Sequence, residues 1–520
     1  MARRRLPTGS RSRTCVVSPP QRIWGVSVQL YAARSRASWG IGDLADLRLL
    51  GEWAAGRGAR VLLVNPLDAV APVTPRENSP YKPTSRRFLD PVYLAVHEVP
   101  GAREVDLGDL DDQVARLNEH RHIDRDRVWA LKQQALRRIW ERTDVRDDPA
   151  LAAFRAERSP AVEQFAAYVL GVAGHGEDAS AWPADLQSPQ AVGVAELAAT
   201  DGAAFHVWQQ YCLDLQLRAA GAAIPLLRDL PVGFDPVGFD AWTWRDLLAT
   251  DVTIGAPPDK LGPQGQDWEL PAFVPWKLAD AGFAPLTETL DAAMRHAAGL
   301  RIDHILGLFR LFWIPPGGTP ADGAYVRQPT GALFDIVGRA SQRNRTWVVG
   351  EDLGTVEEGV RPTLLERNVL RYQVLWFDEA EPLNWTPESL ASIATHDVAT
   401  VAGLWHGRDL ALQREVGLEP DDDWNWSVRD RVAARAGITG DADLWTAAVE
   451  LHRSVARSAS RVVVAQVDDL VGTQERPNVP GTKRDQRPDN WSLALPVLLD
   501  DLPDHALANE ITSVMAAERP

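Results

Sequence analysis

Cysteine is almost missing from this 520-residue sequence, which contains only Cys15 and Cys212. Two cysteines cannot form a disulfide framework, and the CxxC spacing typical of zinc sites does not occur. The sequence also lacks any run of about 18 to 20 apolar residues, the length that a membrane-spanning helix needs. Its first residues lack the apolar stretch of a secretory signal. We therefore expect a cytoplasmic globular protein with no membrane association.

Basic residues are scarce relative to acidic ones. The chain has 55 Lys and Arg against 71 Asp and Glu, a formal net charge of −16. This balance argues against a nucleic-acid partner, because such proteins usually carry a basic face. Tryptophan is abundant, with 20 residues against seven Tyr. Its flat apolar ring suits cores and stacking on sugars or bases, and we expect at least half of these side chains in the core.

Eight short apolar runs recur along the chain, and helical patterns follow most of them. The runs are nearly continuous in aliphatic and β-branched residues, which is typical of parallel strands buried on both faces. Eight such strands alternating with helices predict a (β/α)8 TIM barrel of the α/β class. A doubly wound open sheet is the alternative that this pattern leaves open. The runs lie at 23–30, 60–66, 222–230, 300–305, 346–350, 370–377, 390–394 and 461–467.

The spacing of these runs predicts the domain organisation. Residues 1–21, rich in Arg and Ser, are predicted to be a disordered extension, with a transit peptide as the alternative. Residues 22–520 are predicted to form one catalytic barrel domain. A helical insertion is expected at about 103–220. A second insertion, at about 247–285, is rich in Pro and Gly and carries Trp268 and Trp276, which predicts a lid-like loop facing the substrate.

A carboxylate stands where each of three predicted strands ends. Asp303 is the last residue of LRID, Glu351 is the last of WVVGE and Asp397 is the last of IATHD. Because all strand C-termini of a barrel open on one face, these side chains are expected to converge. An acid at a strand end is often a helix N-cap, as we predict for Asp43 and Asp352. Three acids on three strand ends are harder to explain by capping.

Converging carboxylates fit retaining glycoside chemistry, which needs one ionised nucleophile and one protonated acid. Arg301 lies two residues before Asp303 on the same side of the strand, so its guanidinium is expected to hold Asp303 ionised. Glu351 follows an apolar approach that is expected to raise its pKa for general-acid work. His304 and His396 adjoin two of the acids, with buried core histidines as the alternative interpretation.

The motifs LRIDHILGL, VVGEDLG and ATHD, in this order and spacing, resemble 4-α-glucanotransferases of the amylomaltase (disproportionating enzyme) type. That family, glycoside hydrolase family 77, belongs to the α-amylase clan. The resemblance covers roughly residues 22–491. Further segments carry it: WGIGDLADL, SPYKPTS, DLP at 229–231, APPD at 256–259, GQDW at 265–268, FWIP at 312–315 and NVPGT at 478–482.

The resemblance implies roles for individual residues. Asp303 is implied as the nucleophile, Glu351 as the acid and base, and Asp397 as the stabiliser of the transition state. The implied substrate-binding residues are Tyr81, Asp229, Trp268, Arg301, His304, His396 and Asn478. The implied reaction transfers a segment of a 1,4-α-D-glucan to an acceptor glucan or glucose by retaining double displacement. Malto-oligosaccharides, maltodextrins and glucose are the implied partners.

Other functions stay open at this stage. An α-glucan hydrolase of the same clan would form the same intermediate, and a catalytically silent glucan-binding protein is the alternative of another class. No cofactor is expected, since Gly40-Ile-Gly42 is followed by Ala45 and leaves the dinucleotide fingerprint incomplete. No metal is expected either, because His120 and His122 have no partner cluster in the sequence.

Overall fold

Eight parallel strands close into a barrel in this computed structural model, which describes residues 14–16, 22–258 and 264–520. Counting the strands of two smaller sheets as well, the described residues form fourteen strands. They are β1 (Ile23–Val28), β2 (Leu62–Val64), β3 (Asp68–Ala69), β4 (Ser85–Leu89), β5 (Leu226–Leu230), β6 (Thr253–Ala256), β7 (Gln266–Leu270), β8 (Gly299–Ile302), β9 (Arg310–Ile314), β10 (Ala324–Arg327), β11 (Trp347–Gly350), β12 (Val369–Val374), β13 (Ser389–Ser392) and β14 (Val462–Gln466).

The barrel order is β1-β2-β5-β8-β11-β12-β13-β14, and β14 pairs with β1 to close it. Each of the eight apolar runs overlaps one barrel strand, so the predicted (β/α)8 barrel is confirmed and the open sheet is excluded. Every residue of β2, β5, β8, β11 and β13 is buried. Packing on both faces is the reason these strands are mostly apolar rather than alternating, although β5 also carries Arg228 and Asp229 and β8 carries Arg301.

Helices surround the barrel. They are α1 (Leu44–Gly56), α2 (Asp111–Leu117), α3 (Arg125–Arg142), α4 (Pro149–Arg158), α5 (Ala161–His175), α6 (Val192–Ala198), α7 (Asp201–Ala223), α8 (Phe239–Trp244), α9 (Pro275–Asp280), α10 (Ala284–Met294), α11 (Thr330–Asn344), α12 (Val360–Glu366), α13 (Val401–Trp405), α14 (Arg408–Glu415), α15 (Asp422–Arg435), α16 (Leu444–Ala456), α17 (Val467–Leu470) and α18 (Ala506–Glu518). Among the residues described, none of these helices has the length and apolarity needed to cross a membrane.

Helix α1 begins as the sequence predicts. The Asp43 side chain accepts hydrogen bonds from the backbone N–H groups of Ala45 and Asp46, and the Asp46 carboxylate accepts one from Asp43 in return. This reciprocal capping box satisfies N–H groups that would otherwise lack partners in the first turn. Asp43 is therefore confirmed as a helix cap.

The connection between β2 and β5 is long and mostly helical. It contains the short antiparallel pair β3–β4 and the helices α2 to α7. The last of them, α7, packs against α1 and leads into β5, so it occupies the place of a barrel helix. By contrast, the connection from β12 to β13 has only the 3-10 helix Pro382–Asn384. The division into one catalytic domain with two insertions stays a prediction.

A second sheet lies beside the barrel, and the sequence did not predict it. Strands β6 and β7 come from the connection after β5, and β9 and β10 come from the connection after β8. They form an antiparallel sheet in the order β10-β9-β6-β7. Ile254 and Leu270 of this sheet form a small separate core with Ala272, which lies just after β7. Two consecutive barrel connections are thereby joined, which fixes them relative to each other.

One large apolar core runs through the molecule. It extends from Trp24 in β1 to Met515 in α18 and includes residues of most barrel strands. Eleven of the 20 Trp side chains are buried, which confirms the expectation that at least half lie in the core.

The predicted N-terminal extension, 1–21, falls outside the described residues except for 14–16. Cys15 in this short segment is buried, and its backbone N–H donates to the Arg367 carbonyl over 2.9 Å. The backbone N–H of Val16 donates to Ser341 Oγ over 2.8 Å. These contacts attach residues 14–16 beside α11 and α12, and the rest of the prediction stays untested.

Gly25 is a position where the barrel needs glycine, because a Cβ there would lie 2.1 Å from the Val61 carbonyl oxygen. We expect Gly25→Ala to lower the free energy of unfolding by ~1–3 kcal/mol, since the two strands would have to separate. Gly56→Ala is the matched control, because a Cβ there meets nothing within 4 Å. Urea denaturation of both variants measures the difference, and equal stability would contradict the close approach.

Candidate active site

The side chains selected from the sequence lie at the C-terminal ends of the barrel strands. Asp229 and Arg301 belong to β5 and β8, and Asp303 and His304 follow β8 directly. Glu351 follows β11 directly. The others lie in connecting segments that contact these residues: Tyr81 between β3 and β4, Trp268 in β7, His396 and Asp397 after β13, and Asn478 after α17.

Arg301 is the centre of the site. Its Nη1 lies 2.6 Å from Asp229 Oδ1, and its Nη2 lies 2.9 Å from Asp303 Oδ1. Asp229 and Arg301 are directly paired across the neighbouring strands β5 and β8. The guanidinium is buried, with only 4% of its side chain exposed. One fork-shaped cation thus fixes two carboxylates on two strands, and the predicted Arg301–Asp303 contact is present.

Tyr81 joins the second side of the site to this centre. Its hydroxyl donates to Asp229 Oδ2 over 2.7 Å and lies 3.1 Å from His396 Nδ1. Its ring packs against His396 and Trp491, with centroid separations of 4.6 and 5.3 Å. Burial raises the Tyr81 pKa well above its usual value, and the nearby Asp229 carboxylate raises it further. The hydroxyl therefore stays protonated and acts as a donor to Asp229.

Asp397 is held by three neighbours. Asn478 Nδ2 donates to its Oδ1 over 2.7 Å, and His396 Nε2 lies 3.3 Å from its Oδ2. Arg476 Nη1 donates to its backbone carbonyl over 3.0 Å. Burial would raise the Asp397 pKa, but His396 and Asn478 outweigh burial and lower it to about 2. The same contact raises the His396 pKa against its own burial. Asp397 is consequently ionised at neutral pH.

Glu351 is held by backbone donors. The N–H of His304 donates to its Oε2 over 2.9 Å, and the N–H of Leu353 donates to its Oε1 over 2.7 Å. His304 has a left-handed backbone, with φ of +47°, which is uncommon outside glycine and turns the chain sharply after β8. Burial raises the Glu351 pKa, and Arg301 opposes this rise only in part. The predicted direction of the shift is confirmed.

Asp352, the neighbour of Glu351, has a structural role that differs from the prediction. Its Oδ2 accepts from Arg371 Nε over 2.8 Å and its Oδ1 from the Tyr372 backbone N–H over 3.1 Å. Helix α12 begins after Gly359 instead. The prediction of Asp352 as a helix cap is therefore wrong, because the segment after Glu351 continues for several residues before the helix starts.

The two central carboxyl groups differ in their electrostatic surroundings. Burial raises the Asp303 pKa to about 6, although Arg301 opposes the rise. Burial therefore changes the Asp303 pKa more than the guanidinium does, whereas the sequence analysis predicted that Arg301 would have the larger effect. Asp303 still has a guanidinium at 2.9 Å, whereas backbone amides hold Glu351. With a pKa of about 6, Asp303 is mostly ionised at neutral pH.

Trp268 borders the site from the antiparallel sheet. Its half-buried ring meets the His304 ring edge-on, with a centroid separation of 5.2 Å. Its Nε1 donates to Gln266 Oε1 over 3.0 Å within the same strand. This contact brings β7 next to the segment that follows β8. The structure therefore assembles all ten residues selected from the sequence on one face of the barrel.

Two further residues of the site were missed by sequence reasoning. Trp491 packs its ring against Tyr81 and His396, and Arg476 binds the Asp397 carbonyl and, through Nε, Asp409 Oδ1 at 3.1 Å. Both lie in the irregular chain after α17. Strand-end patterns give no signal there, because only the tertiary path of this segment brings it back to the site.

An ionised carboxylate beside a second, protonatable one is the pair of groups that cleavage of a glycosidic bond requires. Within the described ranges, no group of three or more His, Cys, Asp or Glu side chains is placed to hold a metal. Carboxylates of this kind on the C-terminal face of an α/β barrel are typical of enzymes that act on glycosidic bonds.

Sequence comparisons agree with this class. A family model described as 4-alpha-glucanotransferase matches residues 28–499. A 4-alpha-glucanotransferase of Mycobacterium tuberculosis is 40% identical over 96% of this chain and 75% of its own length. One of Haemophilus influenzae is 32% identical over 91% of this chain and 75% of its own length. The chain therefore belongs to the 4-alpha-glucanotransferase family, glycoside hydrolase family 77.

Solved structures show the same fold. Amylomaltase from Corynebacterium glutamicum superimposes with a TM-score of 0.85 at 32% identity, covering 95% of this chain and 75% of that one. Amylomaltase from Streptococcus agalactiae, solved with acarbose, gives a TM-score of 0.78 at 17% identity, covering 95% of this chain and 99% of that one.

Arg301→Met tests the central ion pairs. Without the guanidinium, Asp303 stays buried, so its pKa rises further above that of the unfolded chain. We expect a loss of ~3–5 kcal/mol in the free energy of unfolding at pH 8. The loss should shrink at pH 5, because a carboxyl whose folded pKa is raised binds its proton there and the charge disappears.

Denaturant unfolding at both pH values measures this effect. Arg327→Met is the control, because Arg327 forms an exposed pair with Glu357 at 3.2 Å and has 76% of its side chain exposed. We expect the control to change stability by no more than about 1 kcal/mol at either pH. A loss for Arg301→Met that is independent of pH would contradict the electrostatic account.

Proposed function

We propose that this protein is a 4-α-glucanotransferase. It transfers a segment of a 1,4-α-D-glucan to a new position in an acceptor glucan or glucose by retaining double displacement. The observation that carries the proposal is the pairing of β8 with β11, which brings Asp303, held by Arg301, next to Glu351 in a member of this family. Malto-oligosaccharides and maltodextrins are the proposed donors, and no cofactor takes part. The scarcity of cysteine supports the cytoplasm as the place of action.

In the first half of the reaction, an Asp303 oxygen attacks the anomeric carbon of the donor. The C–O bond to the departing sugar breaks while the Glu351 carboxyl gives its proton to that oxygen. The product is a covalent glucosyl-enzyme ester on Asp303. Arg301 holds the Asp303 carboxylate in position, and the loss of its negative charge on ester formation is balanced by the proton leaving Glu351.

In the second half, a hydroxyl of the acceptor sugar attacks the same carbon. Glu351, now ionised, accepts the hydroxyl proton and returns to its starting form, while the ester bond to Asp303 breaks. The amides of His304 and Leu353 support the ionised form of Glu351 that this step requires. Two inversions at one carbon give overall retention.

Asp397 is proposed to stabilise the positively charged transition state. Its low pKa keeps it ionised, and Asn478 and His396 orient its oxygens towards hydroxyls of the distorted sugar. An ion that is already oriented stabilises charge without reorganising during the reaction. Tyr81, Asp229, Arg301, His304 and His396 are proposed to contact the sugar ring next to the cleaved bond.

Transfer rather than hydrolysis requires a sugar hydroxyl to compete successfully with water. Trp268 offers a flat apolar surface on which a glucan ring can stack. The segment 247–285 places that ring beside His304 and is proposed to act as the lid that excludes water. An α-glucan hydrolase remains the alternative function, and a silent glucan-binding protein is a more remote one.

Incubation of the purified protein with maltotriose alone tests the reaction. We expect glucose together with a ladder of maltodextrins longer than maltotriose, resolved by chromatography. Asp303→Asn should lower the rate at least about 10⁴-fold, since no other group can form the ester. Glucose and maltose without longer products would instead favour the hydrolase, and no turnover would favour the silent binder.

The pH dependence of kcat/KM tests the assignment of the nucleophile. Asp303 must be ionised, and its pKa is about 6, so activity is expected to fall as the pH drops below about 6. An ordinary aspartate would keep its activity to about pH 4. Arg301→Gln should move this acidic limb to higher pH, because the guanidinium lowers the Asp303 pKa. Arg327→Met should leave the limb in place.

A further inference from the structure

Strand β7 carries a bulge that contains Trp268 and Glu269. Opposite it, Gly255 of β6 pairs with Asp267, whereas the adjacent Ile254 pairs with Leu270. The two residues between these pairs have no partner in the ladder. Glu269 also has a left-handed backbone, with φ of +55°, and its N–H is fixed by Asp267 Oδ1 at 2.8 Å. Bulges of this kind redirect side chains and often adjoin active sites.

The Glu269 carboxylate bridges two other segments at the C-terminal face of the barrel. Its Oε2 lies 3.0 Å from Lys82 Nζ, and its Oε1 lies 3.6 Å from Lys483 Nζ. Lys82 directly follows Tyr81, and Lys483 lies five residues after Asn478. We name this contact between Glu269, Lys82 and Lys483 the Glu269 bridge. It connects the three segments that carry Trp268, Tyr81 and Asn478.

Charged side chains surround the contact between Glu269 and Lys82. The hydrogen bond and charge of Lys82 lower the Glu269 pKa, with a further contribution from Lys483. Lys82 is also influenced by the carboxylates of Asp235 and Glu77, which face it from neighbouring segments. Removal of Glu269 therefore leaves Lys82 partly neutralised, while β7 loses its connection to both lysines.

We infer that Glu269 is a positioning residue that sets the place of Trp268 over the active site through the Glu269 bridge. It thereby determines glucan affinity and the share of transfer over hydrolysis. The inference rests on the proposed function. Trp268 precedes Glu269 in the same bulge, so a displacement of one moves the other. When the ring moves away from His304, a bound acceptor loses a stacking surface and water gains access to the glucosyl-enzyme.

The first experiment measures binding without turnover. Isothermal titration of maltotriose into Asp303→Asn is compared with titration into the double variant Asp303→Asn and Glu269→Gln. We expect about two- to fivefold weaker binding for the double variant, the range of one exposed ion pair. The control adds Glu98→Gln to Asp303→Asn, because Glu98 forms a comparable ion pair with Arg48 at 2.6 Å outside the site. Its affinity should equal that of Asp303→Asn.

The second experiment uses the active enzyme with maltotriose and varies NaCl from 20 to about 500 mM. Salt screens exposed ion pairs, so the hydrolysed share of product should rise with salt in the natural protein. In Glu269→Gln the hydrolysed share should already be higher at the lowest salt concentration, and it should not change as salt is added. Lys483→Met, at a side chain with 77% exposure, should give an intermediate result.

The outcomes separate this inference from the proposed function. If Asp303→Asn does not bind maltotriose and the natural protein forms no longer maltodextrins, the proposed function fails. If both are observed but Glu269→Gln changes neither affinity nor the salt dependence of the product ratio, the proposed function stands and the Glu269 bridge is overturned. A change in unfolding temperature alone, with unchanged affinity and product ratio, would likewise overturn the positioning role.

Discussion

The buried guanidinium of Arg301 is the constraint on which the active site depends. It lies between Asp229 on β5 and Asp303 after β8, within hydrogen-bonding distance of both. Two carboxylates at this depth would repel each other and lose their hydration, so neither could stay ionised without a shared cation. Tyr81 adds a donor to Asp229, which extends the network to His396 and from there to Asp397. The charges of the site are thus set together rather than one by one.

Barrel closure explains how these groups meet. Each apolar strand ends on the same face, and the residue that follows it turns out of the barrel wall towards that face. Asp303 and Glu351 are neighbours because β8 and β11 are paired in the sheet. The sharp turn at His304 then directs a backbone N–H at Glu351. Burial raises the pKa of both acids, and Arg301 opposes the rise at each of them.

The segments that connect the barrel strands form the outer part of the active site. The antiparallel sheet of β6, β7, β9 and β10 links two consecutive barrel connections and brings Trp268 next to His304. The segment after α17 returns to supply Arg476, Asn478 and Trp491. The antiparallel sheet has only a small core of its own, whereas Trp491 in the returning segment belongs to the large core.

The eight barrel strands, the cap at Asp43 and the acids that directly follow β8 and β11 could be predicted from the sequence, because burial on both faces leaves mostly apolar runs whose ends are visible locally. Asp397 was expected at a strand end too, but it lies five residues beyond β13. Tertiary structure alone decided the second sheet, the bulge at Trp268 and Glu269, the role of Asp352, and the contacts of Arg476 and Trp491. Each of these features depends on which distant segment packs against the residue concerned, and the local sequence pattern does not contain that information. The Asp303 pKa belongs to the same group, since burial outweighs the adjacent Arg301 and burial exists only in the folded chain.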